Sequence, residues 1–383
     1  MTLRVLALDH VGVLGGAELS LLDIASAFGD EMSVRLFVDG PFRDALANRG
    51  VNVQVLPMGA LASVRKESRT PSLAALAAAW RLAEVVANEA ASADVLYANS
   101  QKAFVVAALA GRRARRPVVW HLRDLLGAPH FSALNTRGAV MLANWLATRV
   151  IANSHATADA FVRAGGRRAL VRVVHNGVDP APFDAVSGVA ARALRHSLSP
   201  DAAYVMAVFG RLHEWKGQQV AIDALAQLPA ECALWVVGAP LFGELAFETA
   251  LREQAARLGL TARVRFLGFR NDIAPLMRAA DVIVHTSTWP EPFGRVIVEG
   301  MLACRPVVAA SAGGVGEIVT HEETGVLVAP GDAAALAQAV TALRASPARA
   351  ARLAEAGAAH ARRTFGVPAM VDGVRRVLDE VLA

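Results

Sequence analysis

Short runs of β-branched residues alternate with longer stretches rich in alanine and leucine along this chain of 383 residues. The alternation is typical of parallel α/β architecture, because each long stretch can form a helix that returns the chain for another parallel strand. In the first half the predicted strands are 4–8, 34–38, 51–56, 94–98, 118–121, 149–152 and 171–174. In the second half they are 204–209, 233–237, 264–267, 282–285, 307–310 and 326–328. Helices are predicted between most of them, for example at 72–91 and 132–147.

The pattern breaks near residues 175–180, which read His-Asn-Gly-Val-Asp-Pro, and a polar segment follows at 187–199. Asn-Gly and Asp-Pro are turn signals, so this stretch is predicted to link two domains. We expect an N-terminal domain over 1–180 and a C-terminal domain over 181–365, with a final helix at about 366–383 that packs on the first. Both are predicted to be Rossmann-like, doubly wound parallel-sheet domains. They would face each other across a cleft at the carboxyl ends of their strands, where such sheets bind ligands.

Composition excludes several classes of protein. A hydrophobic content of 54% with 19% charged residues is incompatible with a disordered chain or a coiled coil. The net charge of +5 comes from 39 basic and 34 acidic residues spread along the chain, which does not favour a nucleic-acid partner. Cys232 and Cys304 are too few for a disulfide framework and indicate free thiols in a reducing cytosol.

No targeting segment or membrane span is predicted. The first apolar run, at 3–8, is broken by Asp9 and His10 and is typical of a strand. The arginines at 112–116 and at 163–168 leave open a peripheral contact with the inner face of an anionic membrane. Solvated loops are the simpler explanation of both clusters. We expect a cytoplasmic protein.

The most informative stretch runs from Glu291 to Glu299. Pro292 and Gly294 predict a turn, after which residues 295–303 predict a short, mostly buried helix. The first N–H groups of that helix have no intrahelical partner and suit an oxygen-rich or anionic ligand. Glu299 lies among apolar neighbours and needs a hydrogen-bonding partner. That partner is either a sugar diol or Arg295, one helical turn earlier.

A second glycine-flanked loop follows the strand that ends at Phe209. Gly210 permits close backbone approach, Arg211 offers a planar fork to phosphate oxygens, and Lys216 offers a compact charge. The helix that follows adds its N-terminal dipole, so the loop is predicted to bind phosphate. The alternative is a solvated loop with two unrelated cations.

Weaker signals follow strands of the first half. Gly15 and Gly16 precede a helix but do not fit the dinucleotide-binding spacing, and a tight packing turn explains them equally well. His121 ends a predicted strand and is a candidate for handling protons or binding a hydroxyl, or a satisfied core residue. Asn99 and Asn153 also follow strands, where each could simply cap a helix.

Together these motifs resemble the family 4 glycosyltransferases of the GT-B fold, in their order along the chain and their spacing from the strands. The resemblance spans nearly the whole chain and is most specific in the second half, where the 290–294 segment and Glu299 precede Pro306 and the pair Gly313-Gly314. One departure is Trp215 in the phosphate loop, which many members of the family lack.

The family resemblance implies a retaining transfer of a hexose-type sugar from a UDP- or GDP-sugar to an acceptor hydroxyl. It implies that Glu291 binds hydroxyls of the donor sugar, with the backbone of Phe293 and Gly294 nearby. Glu299 would bind the ribose diol of the nucleotide. Retention in this family is explained by attack of the acceptor on the face that the leaving group departs from, with a phosphate oxygen taking the proton.

By the same resemblance, Arg211 and Lys216 would stabilise the diphosphate leaving group, and Gly16 would approach the phosphate from the first domain. His121 corresponds to a histidine near the sugar and the acceptor, and Phe269 lies where the nucleotide base is expected. No Asp-x-Asp pair is present at a strand end to hold a metal, so we expect metal independence and no cofactor beyond the nucleotide-sugar co-substrate.

Other functions remain open from the sequence. A nicotinamide-dependent oxidoreductase could use Asp39 on a ribose, but it leaves the pair Glu291 and Glu299 unexplained. A GT-B-fold sugar-nucleotide epimerase would use the same donor pocket without an acceptor, and a non-catalytic binding module is a third alternative. The acceptor itself, whether a small alcohol, a lipid or a glycan, is not determined by the sequence.

Overall fold

The computed structural model describes residues 3–60, 73–127, 132–240 and 245–383. These residues form two compact units. The first comprises Met1–Gly177 with Val367–Ala383, and the second comprises Val178–Gly366. The division therefore lies just before the position 180/181 expected from the sequence, and the C-terminal helix belongs to the first unit.

The first unit contains a seven-stranded parallel sheet with the strand order β3-β2-β1-β4-β5-β6-β7. Its strands are β1 (Val5–Asp9), β2 (Met32–Leu36), β3 (Val53–Val55), β4 (Val95–Ala98), β5 (Val118–Leu122), β6 (Arg149–Ala152) and β7 (Val171–Val173). Its helices are α1 (Gly16–Phe28), α2 (Pro41–Asn48), α3 (Leu73–Ala90), α4 (Gln101–Ala114), α5 (Ala133–Leu146), α6 (His155–Arg163) and, from the C-terminus, α16 (Val367–Leu382).

The second unit contains a six-stranded parallel sheet with the order β10-β9-β8-β11-β12-β13. Its strands are β8 (Tyr204–Phe209), β9 (Cys232–Val237), β10 (Val264–Gly268), β11 (Val282–His285), β12 (Val307–Ala310) and β13 (Val326–Val328). Its helices are α7 (Ala181–Asp184), α8 (Gly188–Leu198), α9 (Gln218–Ala226), α10 (Leu245–Arg257), α11 (Ile273–Ala279), α12 (Arg295–Leu302), α13 (Val315–Ile318), α14 (Ala333–Ala345) and α15 (Pro347–Thr364).

Each sheet is buried on both faces, which confirms the predicted doubly wound architecture. In the first unit, α3, α4 and α5 pack on one face, and α1, α2 and α16 pack on the other. Burial on both faces explains why the central strands contain almost uninterrupted apolar residues instead of an alternating pattern. In each sheet, successive strands are first added on one side of the first strand and then on the other, so the switch points lie between β1 and β4 and between β8 and β11.

The predicted strand bounds hold to within two residues, and the differences follow from pairing. Strand β2 begins at Met32, two residues before the predicted start, because Met32 pairs with Val5 at the start of β1. Strand β5 continues through Leu122, which pairs with Ala152, so His121 lies within the strand and not at its end. Residue 72 of the first predicted helix lies outside the described residues, and α3 begins at Leu73.

Among the described ranges, no helix is both long enough and apolar enough to cross a bilayer. Cys232 and Cys304 are both free thiols.

Candidate functional site

The loop after β8 is fixed against the chain that follows β11. Gly217 has φ +73°, and a Cβ atom there would lie 1.8 Å from the Thr286 carbonyl oxygen, so only glycine allows this approach. The Thr286 hydroxyl donates to the Lys216 carbonyl oxygen at 3.0 Å, and the Thr288 N–H donates to that of Trp215 at 2.8 Å. These contacts hold Lys216 at the switch point of the second sheet.

The Glu291 carboxylate lies within hydrogen-bonding distance of three side chains. Its Oε1 atom lies 2.5 Å from Lys216 Nζ, accepts a hydrogen bond from Ser287 Oγ at 2.7 Å and lies 3.2 Å from His285 Nε2. An ionised carboxylate can only accept hydrogen bonds, so the imidazole proton of His285 resides on Nε2. Within the described chain, these side-chain bonds all converge on Oε1, which leaves Oε2 for another donor.

Glu291 is ionised although its side chain is only 6% exposed. Burial by itself raises the pKa of Glu291, but the Lys216 ammonium and the hydrogen bond from His285 outweigh it and hold the pKa well below its usual range. Glu291 is therefore a permanent acceptor at neutral pH and not an acid catalyst.

Two glycines shape the backbone beside Glu291. The Gly314 N–H donates to the Glu291 carbonyl oxygen at 2.8 Å. A Cβ atom at Gly313, where φ is +69°, would lie 2.1 Å from that oxygen, and one at Gly314 would lie 2.6 Å from the carbonyl oxygen of Pro292. The Gly-Gly pair therefore allows the loop after β12 to close directly on the 291–292 turn.

Helix α12 begins beside this turn, as predicted. Gly294 precedes it with φ +108°, and Phe293 is buried with its ring 5.6 Å from that of Phe365. Glu299 is partly exposed, and its Oε1 accepts from Arg295 Nε at 2.9 Å. The sequence left open whether Arg295 or a sugar diol is the partner of Glu299. The pair with Arg295 is present, and it occupies one oxygen of Glu299.

The other predicted donor-site residues lie around the same sheet edge. Gly210 follows β8 with φ +138°, and Arg211 is partly buried next to it. The Lys216 ammonium lies 4.1 Å from the ring centroid of Trp215, a distance at which a cation–π interaction forms. Phe269 follows the edge strand β10 and is 67% exposed.

In the first unit, the switch point holds a buried polar network that the sequence did not predict. Arg123 Nε and Nη2 donate to Asn99 Oδ1 at 3.0 and 2.9 Å, and Arg123 Nη1 donates to Asn176 Oδ1 at 2.5 Å. Asn99 Nδ2 donates in turn to Asp9 Oδ2 at 2.6 Å. Asn99 therefore joins β1, β4 and β5 and does not cap α4, whereas Asn153 accepts from the Thr157 hydroxyl in the first turn of α6.

His121 is fully buried beside this network. Its Nδ1 is hydrogen-bonded to the Tyr97 hydroxyl, whose oxygen also accepts from Arg123. A guanidinium only donates, so the Tyr97 proton is given to Nδ1 and the imidazole proton resides on Nε2. Burial, reinforced by the Arg123 charge, holds the pKa of His121 well below its usual value. Nε2–H is thus a neutral donor, and no partner for it exists among the residues described.

Gly15 and Gly16 differ in whether the surrounding atoms leave room for a side chain. The Gly15 N–H donates to Glu18 Oε2 at 3.0 Å, and a Cβ atom on Gly15 would lie 2.7 Å from that oxygen. A Cβ atom on Gly16 would meet no described atom within 4 Å. Packing therefore does not require glycine at position 16, which is exposed at the start of α1.

The comparisons with known proteins agree with this geometry. A model described as "Glycosyl transferase 4-like domain" matches residues 15–177, and one described as "Glycosyl transferases group 1" matches residues 192–360. D-inositol 3-phosphate glycosyltransferase of Salinispora tropica is 32% identical over 382 residues, covering 92% of this chain and 78% of that protein. The chain belongs to the family 4, group 1 glycosyltransferases.

This glycosyltransferase is also similar to solved structures of HepE from Anabaena. The complex of HepE with UDP and glucose has a TM-score of 0.90 at 42% identity and covers 98% of this chain and 99% of that one. The complex with UDP-glucose has the same TM-score at 43% identity, over 98% and 99% of the two chains. The predicted GT-B fold and the transferase class are confirmed.

Glu18 generates a prediction about stability. Burial and the nearby Asp9 carboxylate raise the pKa of Glu18 to about 8, so the folded enzyme holds a proton that the unfolded chain releases near pH 4.5. Stability should therefore fall as the pH rises from about 4.5 through about 8, since the unfolded state binds fewer protons there.

Thermal unfolding between pH 5 and 9 measures this effect. Glu18→Gln keeps an acceptor for the Gly15 N–H but cannot ionise, so its melting temperature should depend less on pH than that of the wild type. The control is Glu355→Gln on the exposed face of α15, which should follow the wild type. Parallel curves for all three proteins would show that Glu18 does not titrate in this range.

Proposed function

We propose that this enzyme transfers a hexosyl group, with retention of configuration, from a nucleotide diphosphate sugar to an acceptor hydroxyl. UDP-glucose is the first donor to test, because HepE, at 42–43% identity, was crystallised with UDP-glucose and with UDP and glucose. The D-inositol 3-phosphate glycosyltransferases among the relatives match at lower identity. The acceptor of this enzyme is therefore left as an alcohol, lipid or glycan hydroxyl.

The contact between Lys216 and Glu291 is the observation that carries the proposal. It places one cation and one permanently ionised carboxylate at the switch point of the second sheet. A sugar diphosphate needs both kinds of group: the cation offsets charge on the diphosphate, and the carboxylate accepts hydrogen bonds from sugar hydroxyls. Oε2 of Glu291 supplies that acceptor while Oε1 keeps its protein partners.

Charge developing on the leaving diphosphate would be offset by Lys216, by Arg211 and by the N-terminal N–H groups of α9 and α12. No enzyme nucleophile is assigned. Glu291 is held by Lys216 and by Ser287, and an ionised carboxylate so bound is poorly placed to attack. Attack by the acceptor on the face that the diphosphate leaves, with a phosphate oxygen taking the proton, accounts for retention without a covalent intermediate.

For the first unit we assign His121 a role as a hydrogen-bond donor through Nε2–H, with Tyr97 and Arg123 fixing the tautomer. His121 is not assigned as a base, since a neutral imidazole whose Nδ1 already accepts from Tyr97 has no free lone pair. Gly16 is assigned to phosphate approach, because its exposed backbone is not required by packing.

The test of the proposal is transfer from UDP-glucose to a panel of acceptor alcohols. Products would be identified by mass spectrometry, and the anomeric configuration by NMR. We expect release of UDP that depends on the acceptor and an α-linked product from the α-linked donor. An inverted product, or turnover of UDP-glucose to an isomeric UDP-sugar with no acceptor present, would contradict the proposal.

The first variant prediction concerns the cation. Lys216→Ala should lower turnover by about 10²-fold or more, which is the usual scale for one oxyanion-stabilising group. It should also lower the free energy of unfolding, because Glu291 is left buried without its cation.

A double variant separates the effect of the Lys216 substitution on turnover from its effect on stability. Lys216→Ala with Glu291→Gln removes both charges, so stability should recover in part while turnover stays low. Arg211→Ala should lower turnover on a similar scale. Near-normal turnover of both single variants would show that Lys216 and Arg211 do not stabilise the leaving diphosphate.

The second variant prediction distinguishes the carboxylate proposed to bind the donor sugar from the one proposed to bind the nucleotide. Glu291→Gln should leave the affinity for UDP unchanged or higher, because Lys216 loses a competing carboxylate, while transfer is impaired. Glu299→Gln should weaken UDP binding, since a carboxylate accepts ribose hydroxyls more strongly than an amide. Calorimetry with UDP alone makes the comparison.

The matched control for Glu299 is Glu248→Gln. Glu248 forms an Arg–Glu pair of the same spacing with Arg252 on α10. Loss of such a pair alone should leave UDP affinity unchanged. Equal UDP affinities for Glu291→Gln and Glu299→Gln would show that the two carboxylates do not divide the donor in this way.

The third prediction is metal independence. Fixed cations and helix N-termini offset the leaving-group charge in this proposal, so activity should survive an excess of EDTA. Complete loss that Mn²⁺ or Mg²⁺ restores would mean that a divalent ion carries part of that task.

A further inference from the structure

The outer face of the helix layer α3–α4–α5 is unusually apolar for a surface exposed to water. On α3, Leu73 is 86% exposed and Trp80 58%, and on α5, Met141 is 63% and Trp145 82% exposed. Leu76, Val85 and Leu134 are also exposed on these two helices. Isolated exposed apolar residues are ordinary, but seven of them on two helices of one layer indicate an interaction surface.

A helix of equal length in the second unit shows the contrast. Helix α15, like α3, has 18 residues, and its exposed face presents Arg352, Glu355, Arg362 and Arg363. The exposed face of the first half of α3 instead presents Leu73, Ala74, Leu76, Ala77 and Trp80. Amphipathic packing against a sheet requires polar residues on the outside, so the composition of α3 calls for another explanation.

The three helices form one surface. Helix α4 packs against both α3 and α5. Gln101 Nε2 donates to the Asn135 carbonyl oxygen at 3.4 Å, and Arg116 Nη2 donates to the Ala91 carbonyl oxygen at 2.8 Å. Between α3 and α4 lies a groove of about 340 Å³ whose walls include Trp80, Leu109 and Arg112.

The charge on this surface is strongly positive. The three helices and the turn after α4 carry seven basic residues, Arg81, Lys102, Arg112, Arg113, Arg115, Arg116 and Arg137, against the two acidic residues Glu84 and Glu89. Both acids are already paired, Glu84 with Arg113 at 2.8 Å and Glu89 with Arg35 at 2.5 Å. The excess charge is therefore positive, and Arg112 and Arg113 line the same groove as the exposed Trp80.

We propose that this α3–α5 surface docks on an anionic lipid bilayer. Tryptophan suits the boundary between headgroups and acyl chains, because its ring is apolar and its N–H remains hydrogen-bonded. Arginines flanking the apolar groups are attracted to an anionic leaflet, and a neutral protein partner would not supply that attraction. Both arginine clusters of the sequence border this layer, since Arg112 and Arg113 line the groove beside Trp80, and the Arg167 N–H donates to Oδ1 of Asn144, the residue before Trp145.

Vesicle flotation tests the proposal with the full-length wild type. It should bind vesicles of phosphatidylcholine with 30% phosphatidylglycerol, bind pure phosphatidylcholine at least about tenfold more weakly, and dissociate as salt rises. Trp80→Ser with Trp145→Ser should reduce binding about tenfold or more. The control, Val189→Ser with Leu245→Ser, removes comparably exposed apolar residues of the second unit and should bind like the wild type.

Transfer to a water-soluble acceptor and thermal unfolding show that the variants are folded, and both should match the wild type for each pair. Failure of the wild type to bind anionic vesicles would overturn the proposal, as would undiminished binding by the tryptophan variant. A wild-type dimer in light scattering that the tryptophan variant converts to monomers would assign the surface to a second copy of the chain instead.

Discussion

Parallel pairing is the constraint on which both units depend. All strands of a parallel sheet end at one edge, so residues far apart in sequence meet where the chain leaves the strands. Lys216 follows β8 and Glu291 follows β11, and the two strands are hydrogen-bonded neighbours on either side of the switch point. In the first unit the same rule brings Asp9, at the end of β1, to Asn99, after β4.

A comparison of two buried carboxylates, Glu291 and Glu18, shows how the neighbouring charge decides the protonation state of each. Glu291 and Glu18 are both buried, and burial by itself favours the neutral acid. Glu291 has an ammonium at 2.5 Å and stays ionised, whereas Glu18 faces the Asp9 carboxylate and keeps its proton near neutral pH. A neutral Glu18 beside the Gly15–Gly16 turn also adds no negative charge where the proposed function brings a phosphate.

The sequence predicted the strands well because each has a buried, β-branched interior bounded by polar or glycine-rich turns. It also singled out Glu291, because it precedes a turn and a short helix, and Lys216, because lysine is rare in this arginine-rich chain. It could not pair them, because a contact across 75 positions depends on strand order. His121 was placed at a strand end, but pairing extends β5 by one residue and buries the ring, so its role depends on Tyr97 and Arg123.

In the first unit, the polar residues at the strand ends and the exposed apolar residues of the helix layer lie in different places. Asp9, Asn99 and Arg123 lie where strands end, whereas the exposed residues of α3 and α5 lie on the side of those helices that faces away from the sheet. Their buried sides, including Ala83 and Ala139, belong to the core beneath. A bilayer against the outer side of these helices would lie along the layer and would not cover the strand ends that carry Asp9, Asn99 and Arg123.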